Sequence, residues 1–372
     1  MIDFDSFREK LAEKTEREPH LCETMIELTY GCNLRCVHCY NPTHRARNEL
    51  KKEEIFRLLD QLEQQGCMHV GFSGGELFTR KDTVEILDYA KRKGFIFSIS
   101  TNATLITPAL ADALDELIPY QMEISIYGAT EKTYEAVTGV AGSFQKFVSG
   151  VDLLVEKKIP MIIKVVVMTL NLHELNTMKA FARERNINFR VSMEITPRVD
   201  GSKEPLAYRI SPAQAFEIWR DWTEQSLEGE VLLENCDRGG TIFDCHCGKS
   251  KAAITPYGEL NLCTAIYYPR YDLKKGNLSE GWKKLVALVA DQSKPGREYE
   301  CHQCPVSEHC TRGAMDSWTA FRTFDGPCLS YFKEVAIRRK EYVQQRKKGG
   351  TDGKHEQKNT VSKPDNHKGC AS

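Results

Sequence analysis

The stretch "GCNLRCVHCY", residues 31–40, sets Cys32, Cys36 and Cys39 in the spacing C-x3-C-x2-C, directly after an apolar run. Three soft ligands stand within eight residues, with no fourth cysteine beside them. A structural zinc normally closes its shell with four ligands. His38 lies inside the loop as a candidate fourth ligand, but its place between Cys36 and Cys39 makes simultaneous coordination awkward. Three thiolates at this spacing can reach three corners of a cubic [4Fe–4S] cluster, which leaves one iron open to a small chelating molecule.

The sequence around the loop says where it sits. "TMIELT" (24–29), "HVGFS" (69–73), "FIFSIS" (95–100), "MEISIY" (122–127), "IIKVVVM" (162–168) and "FRVSMEI" (189–195) are rich in β-branched and aromatic residues and read as strands. Amphipathic stretches fit between them. Lys51–Gln65 carries Ile55, Leu58, Leu59 and Leu62 on one stripe, Asp82–Lys93 follows, and Leu172–Arg185 closes the set. Thr107 before Pro108 reads as an N-cap and first helical residue, and Ser143 as the cap of the next helix. Such β-α repeats imply a parallel sheet with right-handed crossovers. The expected fold is α/β: a partial (β/α)6 TIM-like barrel with one open side. Sites in such folds gather at the carboxyl ends of the strands, which is where the cysteine loop falls.

The chain has 372 residues, 41% of them hydrophobic, and a formal net charge of -1. That length is ample for a core. That charge gives no global pull on nucleic acid or an anionic membrane. No apolar run approaches the roughly 18 residues of a spanning helix, and the charged start "MIDFDSFREKLAEKTERE" lacks a signal-peptide core. Fourteen cysteines, several in tight C-x2-C units, then favour metal thiolates in a reducing, cytoplasmic setting over disulfides.

"CNLRCVHC" after one strand and "GFSGGE" (71–76) after the next together resemble the radical S-adenosylmethionine superfamily over about residues 22–196. The resemblance implies a [4Fe–4S] cluster on Cys32, Cys36 and Cys39, with S-adenosylmethionine chelating the open iron. It implies reductive cleavage to a 5′-deoxyadenosyl radical that abstracts a substrate hydrogen. Gly74 and Gly75 would let backbone approach the ligand without a Cβ in the way, and Glu76 would help hold its ammonium. Ser125 and Asn102, at strand ends, would face the nucleoside, although either also suits a plain strand-end cap. His38 and Tyr40 would touch the adenine. Tyr127, Lys164, Glu194 and Arg198 lie at or near strand ends and are candidate lining of the substrate cavity.

The second cysteine field is similar to the SPASM-type extension of these enzymes, which holds two auxiliary [4Fe–4S] clusters. Cys301, Cys304, Cys310 and Cys328 would make one closed four-thiolate site. Cys247 and Cys263, with Cys245 or Cys236 upstream, would serve the other. The pattern expects a cysteine four residues after Cys310, where this chain has Ala314. The second cluster would then keep an open iron or recruit both Cys236 and Cys245. A zinc reading of the four-thiolate site stays open. Cys22 and Cys67 read as core thiols, and Cys370 as incidental.

The expected organisation is an N-terminal helix (1–21), the radical domain (22–200), a linker and helix (201–235), a loop-rich α+β iron–sulfur domain (236–345) and a disordered basic tail (346–372). Its helices include Pro212–Glu228 and 328–345. The resemblance implies a peptide or small-protein substrate and an electron donor such as flavodoxin or ferredoxin. Crosslinking, epimerisation and oxidation are the candidate outcomes. A tetrapyrrole-pathway enzyme or a sulfatase-type maturase is the alternative; Thr264 stands where a sulfatase maturase carries an Asp base. An alternative of another class is a non-catalytic iron–sulfur electron carrier, against which Gly74-Gly75-Glu76 speaks.

Overall fold

Six short parallel strands, each followed by a crossover, build the first part of the sheet. They are β1 (Glu23–Glu27), β2 (His69–Ser73), β3 (Ile96–Thr101), β4 (Gln121–Ile126), β5 (Met161–Val166) and β6 (Asn188–Ser192). This is a computed structural model, and it describes residues 10–11, 13–41, 43–225, 242–292 and 299–349. The strand order is β6-β5-β4-β3-β2-β1, so consecutive strands are neighbours, as right-handed β-α units require. The sheet stays open, which makes it a partial barrel.

Alternation along the strands separates its two faces. In β4, Met122, Ile124 and Ile126 are fully buried, while Gln121, Glu123 and Ser125 are half-buried. In β3, Phe97, Ile99 and Thr101 are buried and Ser98 and Ser100 are not. A parallel sheet covered on both faces reads as a continuous apolar run. This one keeps a polar, partly accessible inner face, the surface on which a substrate can be held.

The apolar face packs on the helices. Lys52–Gln64 buries Ile55, Leu58, Leu59 and Leu62, the expected stripe; each such side chain contributes roughly 1.5–3 kcal/mol. Pro108–Leu117 starts at Thr107, whose hydroxyl accepts from the Leu110 amide at 3.2 Å. The expected cap at Ser143 is corrected. The N-cap of Ser143–Glu156 is Gly142 with φ +72°, and the Ser143 hydroxyl instead bonds that of Thr138 at 2.8 Å. A left-handed residue there suits glycine, which frees the serine to tie this helix to the preceding one, Glu131–Thr138.

The sheet does not end at β1. Strand β7 (Lys251–Ile254) pairs parallel to the outer edge of β1, from Glu23 opposite Lys251 to Ile26 opposite Ile254. Two antiparallel strands follow, β8 (Glu259–Asn261) and β9 (Tyr271–Asp272). Gly258, φ +79°, turns the first hairpin. One compact unit therefore comprises Pro19–Ile210 with Cys247–Val289, although the sequence reads residues 236–345 as one segment. The strands β7–β9 have two to four residues, too few for a period to show, so β7 covers the edge of β1 without announcing itself.

The second unit holds the described residues of 1–18, 211–246 and 290–372. Within it, Pro212–Gln225 packs on Ser330–Gly349: the Tyr342 ring stands 5.9 Å from Trp219 and 6.1 Å from Phe216, and its hydroxyl donates to Glu224 at 2.6 Å. Of the expected N-terminal helix, residues 10–11 and 13–15 are helical. Cys236, Cys370 and the tail from residue 350 lie outside the described residues. Among the described residues no helix is long and apolar enough to cross a membrane.

Candidate active site

The cysteine loop leaves β1 and is stitched at once to the turn after β2. Leu28 donates to Ser73 O at 2.9 Å, Gly75 to Thr29 O at 2.7 Å and Glu76 to Gly31 O at 2.8 Å. On its far side, Arg35 donates to Thr138 O at 2.8 Å and Val37 to Val137 O at 3.0 Å. A loop fixed from both sides presents its side chains with little freedom left to lose on binding.

The two glycines owe their identity to this stitching. A Cβ at Gly74, φ +140°, would stand 2.3 Å from Thr29 O, and one at Gly75 2.4 Å from Gly31 O. The place that a Cβ would take at either glycine is filled by the backbone of the cysteine loop.

Burial governs the three thiols. It pushes the Cys32 thiol up to about 11, and raises Cys36 and Cys39 as well. At Cys36 the charges of Cys39 and Cys32 come next, so the three sulfurs act on one another. Three mutually repelling, desolvated thiolates need a cation to hold them, which is what an iron cluster supplies. Cys32 Sγ accepts the Leu34 amide at 3.4 Å, and the Tyr127 hydroxyl bonds towards Cys36. Such second-layer donors tune sulfur ligands. Among the described residues no three His, Cys, Asp or Glu side chains stand together as a metal site as placed, so the fit to a cluster rests on donor chemistry and on the single loop. His38 Nδ1 is buried with no partner, its ring packs 5.3 Å from Tyr127, and burial lowers it to about 4, which favours the neutral ring.

The remaining expected contacts are largely spoken for within the protein. Glu76, 1% exposed, accepts from Phe78 N at 3.2 Å and Thr101 Oγ1 at 2.8 Å on one oxygen and from Asn102 N at 2.8 Å on the other. Burial lifts its carboxyl to about 7 against those three donors. Asn102 Nδ2 donates to Asn33 Oδ1 at 3.0 Å, and Asn33 Nδ2 to Thr104 Oγ1 at 2.7 Å. This chain of bonds ties the cysteine loop to the ends of β2 and β3. Ser125 lies half-buried on the inner face and bonds the Tyr127 hydroxyl. Tyr127 also packs on the buried cluster Val137, Met168 and Ile195. Lys164 stands 3.9 Å from Glu123, which pairs with Arg190 at 2.9 Å. Arg198 lines a cavity beside Cys36.

Sequence reasoning missed Glu27. It is 1% exposed at the carboxyl end of β1 and accepts from the hydroxyls of Tyr40 and, at 3.2 Å, Tyr30. Burial raises its carboxyl to about 7 despite both bonds. The alternation Glu23, Met25, Glu27 was the available signal: it puts an acid on the inner face beside the loop. Tyr40 is thereby anchored next to Cys39.

Cys301, Cys304, Cys310 and Cys328 lie half-buried in the second unit. Burial raises Cys328, whose further neighbours include the charges of Arg312, Cys301 and Cys304. Arg312 is 2% exposed and donates to Cys301 Sγ at 3.2 Å, to Gly326 O at 2.5 Å and to Ser317 Oγ. Cys245 belongs to that same unit, and Cys247 and Cys263 to the barrel unit. Ala314 starts the helix Ala314–Phe321 and is 3% exposed. Cys22 and Cys67 are buried, with thiols pushed up to about 11 and about 12 by burial.

The Radical SAM superfamily model matches residues 26–182. The chain is 26% identical to Mycofactocin maturase MftC of Mycobacterium tuberculosis over 376 residues, covering 95% of this chain and 94% of that one. It is 31% identical to the AdoMet-dependent heme synthase of Methanosarcina barkeri over 212 residues, 56% of this chain and 59% of that one. Among solved structures, Streptococcus suis SuiB bound to S-adenosylmethionine superposes with a TM-score of 0.68 at 18% identity, covering 87% of this chain and 80% of that one.

Proposed function

Starting from a chain that belongs to the radical S-adenosylmethionine superfamily and is an enzyme of its peptide-maturase-like kind, we propose that it abstracts a hydrogen atom from a peptide or small protein. Family membership implies one [4Fe–4S] cluster and S-adenosylmethionine. When bound, the pair would supply one-electron reductive cleavage of the sulfonium and, through it, hydrogen-atom abstraction from the substrate.

The observation that carries this reading is the doubly stitched loop holding Cys32, Cys36 and Cys39 at the carboxyl end of β1, beside a polar inner sheet face. Cys32, Cys36 and Cys39 would hold the cluster. Asn33, Asn102 and Glu76 keep the loop in place, and Tyr40 is fixed by Glu27. Ser125 and His38 would border the nucleoside, with His38 neutral and therefore no competing cation. The full-length likeness to a named maturase supports a peptide as substrate. In the C-terminal segment, 236–345, Cys301, Cys304, Cys310 and Cys328 would hold one auxiliary cluster, and Cys247 and Cys263 would contribute to another. A flavodoxin or ferredoxin in the cytoplasm would supply the electron.

The test is anaerobic turnover with dithionite. The reconstituted enzyme should form 5′-deoxyadenosine, and Cys32→Ala should form none. Product from that variant would sink the assignment, and failure to bind S-adenosylmethionine would favour a plain electron carrier. The likeness to a heme synthase over 212 residues supports a second reading, a tetrapyrrole substrate. Binding of an iron porphyrin, read from its absorption band, would favour it.

A further inference from the structure

A cavity of about 560 Å3 opens beside the cysteine loop, with Arg35, Cys36, His44, Arg198, Glu204 and Tyr208 in its wall. That volume suits a small ligand or one end of a peptide. Two lining side chains carry buried polar atoms with no partner, Arg198 Nε and His44 Nδ1. Folding alone gains nothing from such orphans, and their natural complement is an incoming ligand.

Two arginines and one glutamate are the charged groups of the wall, and burial with the two arginines lowers His44 towards its neutral form. Arg198 Nη1 pairs with Glu204 at 2.9 Å, but the Glu204 side chain is 72% exposed, so water screens that pair and a better-placed anion displaces it readily. Arg35 donates from Nη1 to the carbonyls of Cys32 at 2.7 Å and Leu34 at 2.6 Å, which holds its guanidinium on the loop. Arg198 is held as well. Its turn closes through Arg198 N to Ser202 O at 2.9 Å, and the next residue, Val199, donates to Tyr40 O at 2.9 Å. The backbone that carries Arg198 is thus strapped to the loop that carries the cysteines, and the planar donors of its guanidinium match a carboxylate.

We propose that this cavity is a carboxylate subsite for the substrate, with Arg198 as the principal donor and Arg35 and His44 beside it. The proposal rests on the peptide reading above and narrows it: the substrate is a peptide that places a carboxylate, its C-terminus or an Asp or Glu side chain, next to the cysteine loop. The same chemistry is also present in the carboxylate of S-adenosylmethionine, and the test separates these sources.

Trifluoroacetate is the probe, followed by 19F relaxation in the anaerobic reconstituted holoenzyme. Wild type should broaden its line. Arg198→Gln should bind it about tenfold more weakly, the scale of one charge-assisted pair. Circular dichroism and iron content report whether that variant folds. If it does not, Arg198→Lys, which keeps the charge and loses the fork, should still weaken binding. Unchanged binding in a folded variant overturns the proposal. N-acetylglycylglycine should displace the probe and its C-terminal amide should not. Equal competition by the amide overturns the proposal. Displacement by N-acetylaspartate α-amide as well would extend the subsite to side-chain carboxylates. Complete displacement by saturating S-adenosylmethionine assigns the subsite to the cofactor and also overturns it. None of these readouts needs turnover, so failure to form 5′-deoxyadenosine would remove the peptide reading independently.

Discussion

Glu76, in the turn after β2, accepts the backbone amide of Asn102, at the end of β3, at 2.8 Å. Its other oxygen takes Thr101 and Phe78, so all three of these partners are donors. Glu76→Gln keeps the shape and turns one acceptor into a donor, facing a group that also donates. Leaving such a buried group unsatisfied costs about 1–3 kcal/mol. The urea midpoint should fall by that amount divided by an unchanged slope. A midpoint equal to wild type would mean that Glu76 does not tie β2 to β3.

Gly75→Ala tests the other half of that joint. Its Cβ would stand 2.4 Å from Gly31 O and 2.8 Å from Tyr30 O, and both are backbone atoms that move only with the cysteine loop. The expected outcome is a folded protein that holds less iron at the N-terminal site, with overpacking costing about 1–3 kcal/mol. Iron per chain after reconstitution reads it. Full iron loading would show that the loop absorbs the methyl group.

The parts of this architecture that were legible in the sequence share one property: they repeat or they cluster. Ile55, Leu58, Leu59 and Leu62 announce a helix by period, and Cys32, Cys36 and Cys39 a site by spacing. What escaped has neither. β7 is four residues long, and its pairing with β1 joins positions more than two hundred residues apart. Gly142 takes the cap expected of Ser143 because a left-handed turn precedes the helix, and a turn's handedness leaves little trace in sequence. Gly74 and Gly75 were visible as glycines, but only the packed loops show that what excludes a Cβ is backbone. Glu27 becomes a functional candidate through a pair of tyrosines, and Arg198, already a candidate for the cavity wall, gains its orphaned guanidinium nitrogen only in three dimensions.

Glu174 offers a pH test away from the cysteines. It accepts from Ala129 N at 2.6 Å, Thr130 N at 3.1 Å, and the hydroxyls of Thr130 and Thr133, both at 2.6 Å. Burial pushes its carboxyl up, but these donors outweigh it and hold the carboxyl below the usual value. A lowered folded pKa means that the stabilisation is present above the unfolded value and is lost as pH falls through the folded one. Glu174→Gln should therefore be less stable than wild type at neutral pH, by about 1.5–3 kcal/mol. The gap should narrow as pH falls below the ordinary glutamate range and through the lowered folded value, where the wild-type carboxyl protonates as well. Urea titrations of both proteins at the two pH values measure it. A gap independent of pH would show that charge plays no part.

The C-terminal cysteines can be judged once the first site is removed. In a chain with Cys32, Cys36 and Cys39 all changed to Ala, four irons per cubic cluster sets the scale. About eight irons per chain would mean two auxiliary clusters despite Ala314; about four would mean one. We expect at least the Cys301/Cys304/Cys310/Cys328 site to load, because buried Arg312 places a positive charge on Cys301 Sγ at 3.2 Å. That charge favours the reduced, more negative state of any cluster there. Arg312→Met on this background should lower the midpoint potential, by roughly 60 mV if the charge is worth tenfold in a one-electron equilibrium. An unmoved potential, in a variant that still binds iron, would place the cluster away from Arg312 and leave the guanidinium a purely structural link from Cys301 to Gly326 and Ser317.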